Sequence, residues 1–451
     1  MTRRWPVSHA EVEHVGSLEL ESEFEHEAVP PSHRKSTVSV TAVWFGFPMI
    51  LTCAVFGGII TALFGFQRGL LAIILGNVVL MLYVGALSYL SGESGLNFAL
   101  VASRVFGRYG YTVASGFLAT IVIGWFAFQT GLTGLTVHQS FGWNERLFTL
   151  LAGILFIAIT FMGIRALSLL GMVAAPLFLI AGAIALWLIG RSSGLGDVWN
   201  YQGATSGAAS LSIGAAITIV VATFADSGTM TGDFTRWAKN GRSAVFAAFS
   251  AFPVANFAAF LVGAIIVASG AITDPGTNGG NFLPVIATGH GWLLFTLAFV
   301  FIIVNLGSVC THCLYNGAVG WSHILGSRMR LLTVILGAIG TIAALAGVWS
   351  FFLDWLNILG VFVPPIGAVI LTDFALNHGR VSPVHARVRW QTFAAWAVGA
   401  VAAGIIHFQA PEYVETLIGM VAAALAYVLI TFATRRAGAP VQADSRLPTQ
   451  G

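Results

Sequence analysis

The chain has 451 residues, of which 57% are hydrophobic and only 9% are charged, and its formal net charge is +3. This composition excludes an ordinary soluble fold, which carries about 25% charged residues, and it is typical of a polytopic helical membrane protein. The basic residues are scattered without a contiguous stripe, so nucleic acid is not an expected partner.

The first 38 residues differ from the rest of the chain. Seven glutamates lie between Glu11 and Glu27, and no apolar run occurs among them. Such a segment buries too little apolar surface to fold by itself, so we expect a disordered, acidic, cytosolic tail over residues 1–38. It does not have the pattern of a cleavable signal peptide.

Hydrophobic runs that are long enough to cross about 30 Å of hydrocarbon recur along the remaining chain. They predict an all-α membrane protein in which the bilayer surrounds most of the residues. We place twelve transmembrane helices at 39–64, 69–90, 110–136, 147–163, 167–190, 211–231, 243–269, 291–322, 331–350, 355–373, 391–409 and 412–434.

The positions of lysine and arginine predict the orientation of these spans. Of the 21 basic residues, only Arg68, Arg146 and Arg191 fall in the odd-numbered connections. Because positive charge concentrates on the cytosolic side, both termini are expected in the cytosol, in a plasma membrane of bacterial type. No Walker-type phosphate loop occurs, so an ion gradient rather than ATP is the expected energy source.

Two of the predicted spans contain breaks. Gly46 and Pro48 interrupt the first span, and the stretch from Thr223 to Thr229 interrupts the sixth. Broken helices at matching positions are typical of transporters that are built from inverted repeats. The spacing therefore predicts two five-helix repeats, at 39–190 and 211–373. Two peripheral helices at 391–434 and a cytosolic tail at 435–451 follow them.

Asp226 lies inside the second break and is the one carboxylate that we place at membrane depth. An ionisable group there is costly, which makes it a functional hypothesis by default. Its carboxylate could accept hydrogen bonds from a substrate N–H or carry a coupling proton. Alternatively, if the sixth span ended at Ala225, Asp226 would cap a cytosolic helix beginning near Gly232.

Short motifs follow one another in order along about 400 residues. They are Val29-Pro30-Pro31-Ser32-His33-Arg34-Lys35-Ser36, Gly124-Trp125-Phe126, Gly163-Ile164-Arg165-Ala166-Leu167, Pro176, Thr223-Phe224, Ser227-Gly228-Thr229, Asp233-Phe234-Thr235-Arg236-Trp237, Asn305, Leu314-Tyr315, Pro364-Pro365-Ile366-Gly367 and Asp373. Together they resemble nucleobase:cation symporter family 1, and most of all its cytosine/purine permease branch. The resemblance implies twelve helices, a leucine-transporter-like five-plus-five core and alternating access.

The resemblance also implies site residues. Trp125 matches the tryptophan that stacks on a flat heterocycle, and Phe224 matches the aromatic residue on its other face. Gln129 shares the helix face of Trp125 at i+4 and offers an amide to the base edge. Cytosine permeases carry a glutamine where this chain has Val122 and a small hydroxyl residue where it has Asp226. The predicted substrate-binding residues are Trp125, Phe224, Gln129, Thr223, Asp226 and Asn305.

Sodium-dependent relatives imply a cation site that combines carbonyls of the first span with oxygens of the eighth. The matching positions are Ile50, Cys53, Asn305 and Ser308, whereas Val309 replaces a hydroxyl residue. Loss of this oxygen favours proton coupling, with sodium as the alternative. His312, one turn from Ser308, joins Asp226 as a proton-relay candidate, although a structural hydrogen bond is its commoner role.

We therefore expect a secondary active transporter, not an enzyme, that imports a nucleobase by symport. A hydantoin or allantoin permease, or one for a thiamine-precursor pyrimidine, is the alternative, and a channel or membrane enzyme is a less favoured class. Cys310-Thr-His-Cys313 has metal-like spacing, but small apolar filler is the better interpretation, and no metal or cofactor is expected. The sequence carries no signal for an oligomeric state.

Overall fold

The computed structural model describes residues 23–192, 194–203, 212–272, 275–348, 352–383 and 386–436. Regular secondary structure in these ranges is entirely helical, as the composition predicts. Several predicted segments lie partly outside the described residues. These are 1–22 of the acidic tail, 211 of the sixth span, 349–350 of the ninth and 437–451 of the C-terminal tail.

Between Glu23 and Ser192, a range that the structure describes throughout, the chain forms seven α-helices. They are α1 Thr37–Gly46, α2 Leu51–Phe64, α3 Phe66–Ser94, α4 Phe98–Phe106, α5 Tyr111–Phe141, α6 Glu145–Phe161 and α7 Ile164–Ser192.

The second half is more fragmented, because several of its predicted spans are divided. Its helices are α8 Ile213–Ala222, α9 Ala225–Thr229, α10 Gly232–Thr235, α11 Gly241–Phe249, α12 Phe257–Ala268, α13 Pro275–Asn278, α14 Leu283–Ala287, α15 Trp292–Phe301, α16 Gly307–Leu325, α17 Met329–Leu345, α18 Phe352–Phe362, α19 Pro364–Leu376, α20 Trp390–Gln409 and α21 Glu415–Arg436. Two π-helical turns join α11 to α12 and α15 to α16, at Ser250–Asn256 and Ile302–Leu306.

Eight continuous helical segments in the described ranges are long and apolar enough to cross a membrane, or nine if the bent pair α1 and α2 is one span. Three further predicted spans contain shorter helices. These are α6, α8 with α9, and α17. The multi-pass helical architecture is therefore observed, and the count of twelve stays a prediction.

The chain bends by 48° between α1 and α2. Pro48 has no backbone N–H to continue α1, which leaves polar backbone groups at the bend without helical partners. Asn305 supplies both partners. Its Oδ1 accepts from Leu51 N at 2.8 Å, and its Nδ2 donates to Met49 O at 2.8 Å. One buried amide from the other half of the chain thus stabilises the bend.

A second interruption separates α8 from α9 at Thr223 and Phe224. The Thr223 hydroxyl donates to Val220 O at 2.6 Å, and Phe224 leaves helical geometry with φ −133° and ψ 16°. Asp226 follows in the first turn of α9, where it is fully buried. The residue at the N-cap of the helix that begins at Gly232 is Thr231, so the alternative in which Asp226 caps that helix is wrong.

The N-terminal segment from Glu23 to Lys35 is ordered, so disorder was the wrong expectation for these residues. Arg34 donates to the carbonyls of Gly92 and Ala238, each at 2.6 Å. Val29 N donates to Gly95 O at 3.0 Å. The segment is held by backbone groups of distant helices, and local acidic composition carries no sign of such partners.

Close packing of α5 against α16 positions the central residues. A Cβ on Gly317 would lie 2.4 Å from Ile123 Cδ1, and one on Gly320 would lie 2.9 Å from Ala119 Cβ. A side chain at either position would therefore force its neighbours on α5 to shift. The close packing brings the face of α5 that carries Trp125 opposite the face of α16 that carries Val309.

Candidate functional site

A small cavity of about 10 Å³, about the size that holds one water molecule, lies where the two interruptions meet α5 and α16. Aromatic rings, aliphatic groups and a few neutral polar side chains form its wall. The lining residues are Phe47, Ile50, Thr52, Cys53, Phe56, Trp125, Gln129, Thr223, Phe224, Ser227, Val309 and Cys313.

Six of the sequence-predicted residues line this cavity, and four do not. The six come from the first span, from α5 and from the interruption after α8. They are Ile50, Cys53, Trp125, Gln129, Thr223 and Phe224. The four outside the lining are Asp226, Asn305, Ser308 and His312. All of these binding roles stay predictions.

Trp125 and Phe224 are both almost completely buried at the cavity wall. The Phe224 ring is held edge-on by two other rings, Phe47 at a centroid distance of 5.5 Å and Phe252 at 5.6 Å. Edge-to-face contacts of this kind fix the orientation of a ring. Phe224 therefore presents a rigid aromatic surface to the cavity.

Gln129 is the amide of the cavity, and its partner is Thr52, a residue that sequence reasoning did not single out. The Thr52 hydroxyl donates to Gln129 Oε1 at 2.7 Å. Both side chains are buried and both line the cavity. The only sequence signal for Thr52 is its position four residues after Pro48, at the start of α2.

The Asp226 carboxylate lies behind the cavity wall. It is close to the Trp125 indole and the Ser227 hydroxyl, and near enough to Cys313 to interact with it electrostatically. The groups that act on it, the Trp125 indole and the hydroxyl and backbone of Ser227, are all uncharged. An uncompensated buried carboxylate is strongly unfavourable, so this group is poised to bind a proton or another polar partner.

Some of the predicted cation residues already use their polar groups in hydrogen bonds, whereas Ser308 does not. Ile50 O already accepts the first backbone bonds of α2, from Cys53 N at 3.0 Å and Ala54 N at 3.4 Å. Asn305 is committed to the bend between α1 and α2. The Ser308 hydroxyl, in contrast, is buried and has no partner, which leaves one oxygen available to a cation.

His312 packs against rings rather than against Asp226. Its imidazole is stacked on Phe47 at 4.8 Å with an interplanar angle of 10°, and Nδ1 is 2.5 Å from Ser308 O. Within the described ranges no hydrogen bond joins His312 to Asp226. The two predicted relay groups therefore do not form a direct pair in this conformation.

A cluster that the sequence did not predict joins the N-terminal segment to α7 and α16. Glu23 accepts from Ile164 N at 3.2 Å and from Tyr315 Oη at 2.8 Å. The Arg236 guanidinium donates to Glu23 O at 2.8 Å and to Phe24 O at 2.7 Å. Burial is the main cause that raises the pKa of the Glu23 carboxyl above its usual range, against the opposing effects of Tyr315 and Arg236.

Comparison with known proteins identifies the family. The family model for permeases of cytosine/purines, uracil, thiamine and allantoin matches residues 28–430. The chain belongs to this family. It is a membrane transporter of the nucleobase:cation symporter family 1, not an enzyme, and the sequence-based identification is confirmed.

Two relatives and one solved structure agree with this assignment. The cytosine permease of Escherichia coli (strain K12) is 29% identical over 388 residues, which cover 86% of this chain and 89% of the relative. The allantoin permease of Bacillus subtilis (strain 168) is 23% identical, with 78% of each chain covered. The solved structure is that of Mhp1, a nucleobase-cation-symport-1 family transporter, in a closed conformation with bromovinylhydantoin bound. The alignment covers 93% of this chain and 97% of the Mhp1 chain, with 18% sequence identity and a TM-score of 0.77. This chain therefore shares the Mhp1 fold.

Proposed function

We propose that the protein is a secondary active transporter that imports a nucleobase or a related uncharged, planar heterocycle together with a cation. The observation that carries the proposal is the small cavity with aromatic walls at the meeting point of two helix interruptions. Substrate sites in transporters of inverted-repeat architecture lie at such interruptions. Twelve spans, two inverted five-helix repeats, cytosolic termini and alternating access complete the proposed architecture.

The chemistry of the cavity supports this substrate class. None of its lining residues in the described part of the chain carries a formal charge, which favours an uncharged ligand. Trp125 and Phe224 offer flat apolar surfaces to it. Stacking on an aromatic side chain contributes about 1–3 kcal/mol per base in nucleic-acid complexes, and we propose the same role here. Gln129 and Ser227 supply hydrogen bonds to the ring edge.

We propose proton coupling in preference to sodium coupling. Asp226 is the proposed proton carrier because it is a fully buried carboxylate beside the cavity and the groups next to it are uncharged. Val309 contributes no side-chain oxygen, and Asn305 already binds the backbone. Sodium remains the alternative through Ser308 and the carbonyls of Ile50 and Cys53.

A hydantoin- or allantoin-like compound is the second candidate substrate. Val122 stands where cytosine permeases carry glutamine, and the allantoin permease is one of the relatives. Both kinds of ligand are flat, uncharged rings with carbonyl and N–H groups at their edges. The same two aromatic surfaces would hold either of them.

Uptake into proteoliposomes tests the proposal. Labelled uracil, cytosine, adenine, hypoxanthine, hydantoin and allantoin are presented with an inward proton gradient, an inward sodium gradient or neither. We expect saturable accumulation of at least one compound, which a protonophore abolishes and sodium removal leaves intact. Trp125→Ala is the matched variant and should lose accumulation. Uptake of none of the six would overturn the substrate class, and strict sodium dependence would overturn proton coupling.

A further inference from the structure

Two connections that are remote in sequence meet where α5 and α20 begin. One joins α4 to α5, and the other joins α19 to α20. Arg108 N donates to Ala386 O at 2.9 Å, and Tyr109 N donates to Arg387 O at 2.8 Å. These bonds bring the backbone of Arg108 into contact with that of Arg387, so two basic residues that lie 279 positions apart become neighbours.

The charge at this meeting point is not balanced. Neither connection contains an aspartate or a glutamate. Arg389, at the start of α20, is compensated by the Asp373 carboxylate at 2.8 Å. Arg108 and Arg387 are exposed and belong to no ion pair among the residues that the structure describes. Two neighbouring like charges repel each other, and an anion bound between them would offset that repulsion.

Exposed aromatic side chains flank the two arginines. Tyr109 is 56% exposed, and the Arg108 guanidinium lies over its ring at 5.6 Å from the centroid. Trp390 is 74% exposed and is the first residue of α20, a helix that lies mostly at the surface of the molecule. Tryptophan and tyrosine concentrate where the hydrocarbon of a bilayer meets the headgroups. The arginines therefore lie at headgroup depth.

We propose that the basic–aromatic patch, defined as Arg108, Tyr109, Arg387 and Trp390, binds the headgroup of an anionic phospholipid of the surrounding membrane. Guanidinium groups bind phosphate oxygens with paired, charge-assisted hydrogen bonds. A zwitterionic lipid brings its own ammonium group, so an anionic lipid suits an uncompensated pair of arginines better. The inference goes beyond the proposed function, because no residue of the patch lines the central cavity.

Lipid binding to the purified full-length protein provides the test. Native mass spectrometry from neutral detergent micelles compares dioleoylphosphatidylglycerol with dioleoylphosphatidylcholine. We expect the wild type to bind the anionic lipid about 25-fold tighter, since each arginine near a headgroup contributes about fivefold. Arg108→Gln and Arg387→Gln should each reduce this preference about fivefold, and the double variant should reduce it to about twofold or less.

Two controls separate charge from folding. Replacement of Arg108 and Arg387 by lysine retains both charges and should retain a clear preference for the anionic lipid. Arg191→Gln removes another exposed arginine, which stacks on the exposed Trp187 at 4.7 Å but is the one basic residue of its connection. Its preference should equal that of the wild type. Without lipid, all variants should unfold at the wild-type temperature, because backbone bonds join the two connections.

The outcomes are specific to the patch. Equal affinity of the wild type for the two lipids, or an unchanged preference in the double glutamine variant, overturns the proposal. Glycerol 3-phosphate, a headgroup without acyl chains, is measured by isothermal titration calorimetry. If it binds as tightly as the anionic lipid, the patch is a site for free anions and the lipid assignment is wrong. Failure of heterocycle uptake would overturn the proposed function and leave this inference standing.

Discussion

Tyr315 Oη donates a hydrogen bond to the carboxylate of Glu23 at 2.8 Å and thereby ties α16 to the N-terminal segment. The same carboxylate binds the first backbone N–H of α7, and Arg236, just after α10, donates to the backbone of the segment. A single buried acid thus connects three helical regions that are remote in sequence. The segment from Glu23 to Lys35 is consequently part of the folded protein.

Tyr315→Phe should weaken this attachment. The substitution preserves the ring stacked on Phe234 at 6.0 Å and removes only the hydroxyl. Because a buried carboxylate loses a partner, we expect a destabilisation of about 1–3 kcal/mol. The measurements are thermal unfolding in detergent and the rate of proteolysis between Glu23 and Lys35.

Tyr109→Phe is the matched control for this variant, because Tyr109 is 56% exposed. Its unfolding temperature and its cleavage rate should equal those of the wild type. Wild-type behaviour of Tyr315→Phe would show that the bond to Glu23 does not hold the segment.

Attachment of the segment should also depend on pH. Burial raises the pKa of Glu23 in the folded state above that of the exposed carboxyl. The docked segment therefore binds a proton more readily than the released one, and its stability is highest at low pH. We expect this contribution to be full below the ordinary glutamate pKa and to be lost as the pH rises through the raised value.

Hydrogen exchange of residues 23–35 across this pH range, corrected for the intrinsic exchange rate, measures the effect. Protection should decrease as the pH rises. Glu23→Gln removes the titrating group and should flatten the dependence. A dependence of equal size in Glu23→Gln would assign the pH effect to other groups.

Asn305 provides a prediction about the bend between α1 and α2. Asn305→Ala removes the donor to Met49 O and the acceptor from Leu51 N, and each buried group left unpaired costs about 1–3 kcal/mol. We expect a lower unfolding temperature and weaker ligand binding, since Ile50 and Thr52 adjoin the bend. Asn305→Asp also loses the donor and buries a carboxylate against Met49 O, so it should be no more stable than Asn305→Ala. If Asn305→Ala is as stable as the wild type, Asn305 does not stabilise the bend between α1 and α2.

The same residues show how far the sequence alone could reach. Composition and hydrophobic runs predict the helical membrane class, and ordered motifs such as Gly124-Trp125-Phe126 identify the family, because these signals are local. The partners of Glu23 are different, since Ile164 and Tyr315 lie 141 and 292 positions away. Nothing near Glu23 distinguishes it from the other six glutamates of its segment, so its burial could not be predicted.

The site was predictable to a similar extent. Trp125, Gln129 and Phe224 were selected through family motifs, and the structure brings all three to one cavity. The motifs predict that Asn305 contacts the ligand and the cation, and in the structure its amide binds backbone groups 254 and 256 positions away. Thr52 was missed because an amide–hydroxyl pair between two helices has no fixed spacing in sequence. Pairings of this kind depend on tertiary packing.

Asp226→Asn separates the possible roles of the buried carboxylate. The substitution keeps the size of the side chain and removes the group that can carry a proton. Under proton coupling we expect accumulation against a gradient to fall to background, while ligand binding and exchange across the membrane persist. Loss of binding as well would instead make Asp226 a substrate contact. Full accumulation would exclude it from coupling.

Stability provides an independent measure of the same change. An unpaired buried charge is unfavourable, so its replacement by a neutral amide should leave the unfolding temperature unchanged or raise it. Asp197→Asn, at an exposed position outside the helical core, is the control for a general effect of lost charge. Uptake, exchange and thermal unfolding are compared at one pH for the three proteins. A transport defect with a preserved or higher unfolding temperature would exclude misfolding as its cause, and the binding measurement then separates a lost proton site from a lost substrate contact.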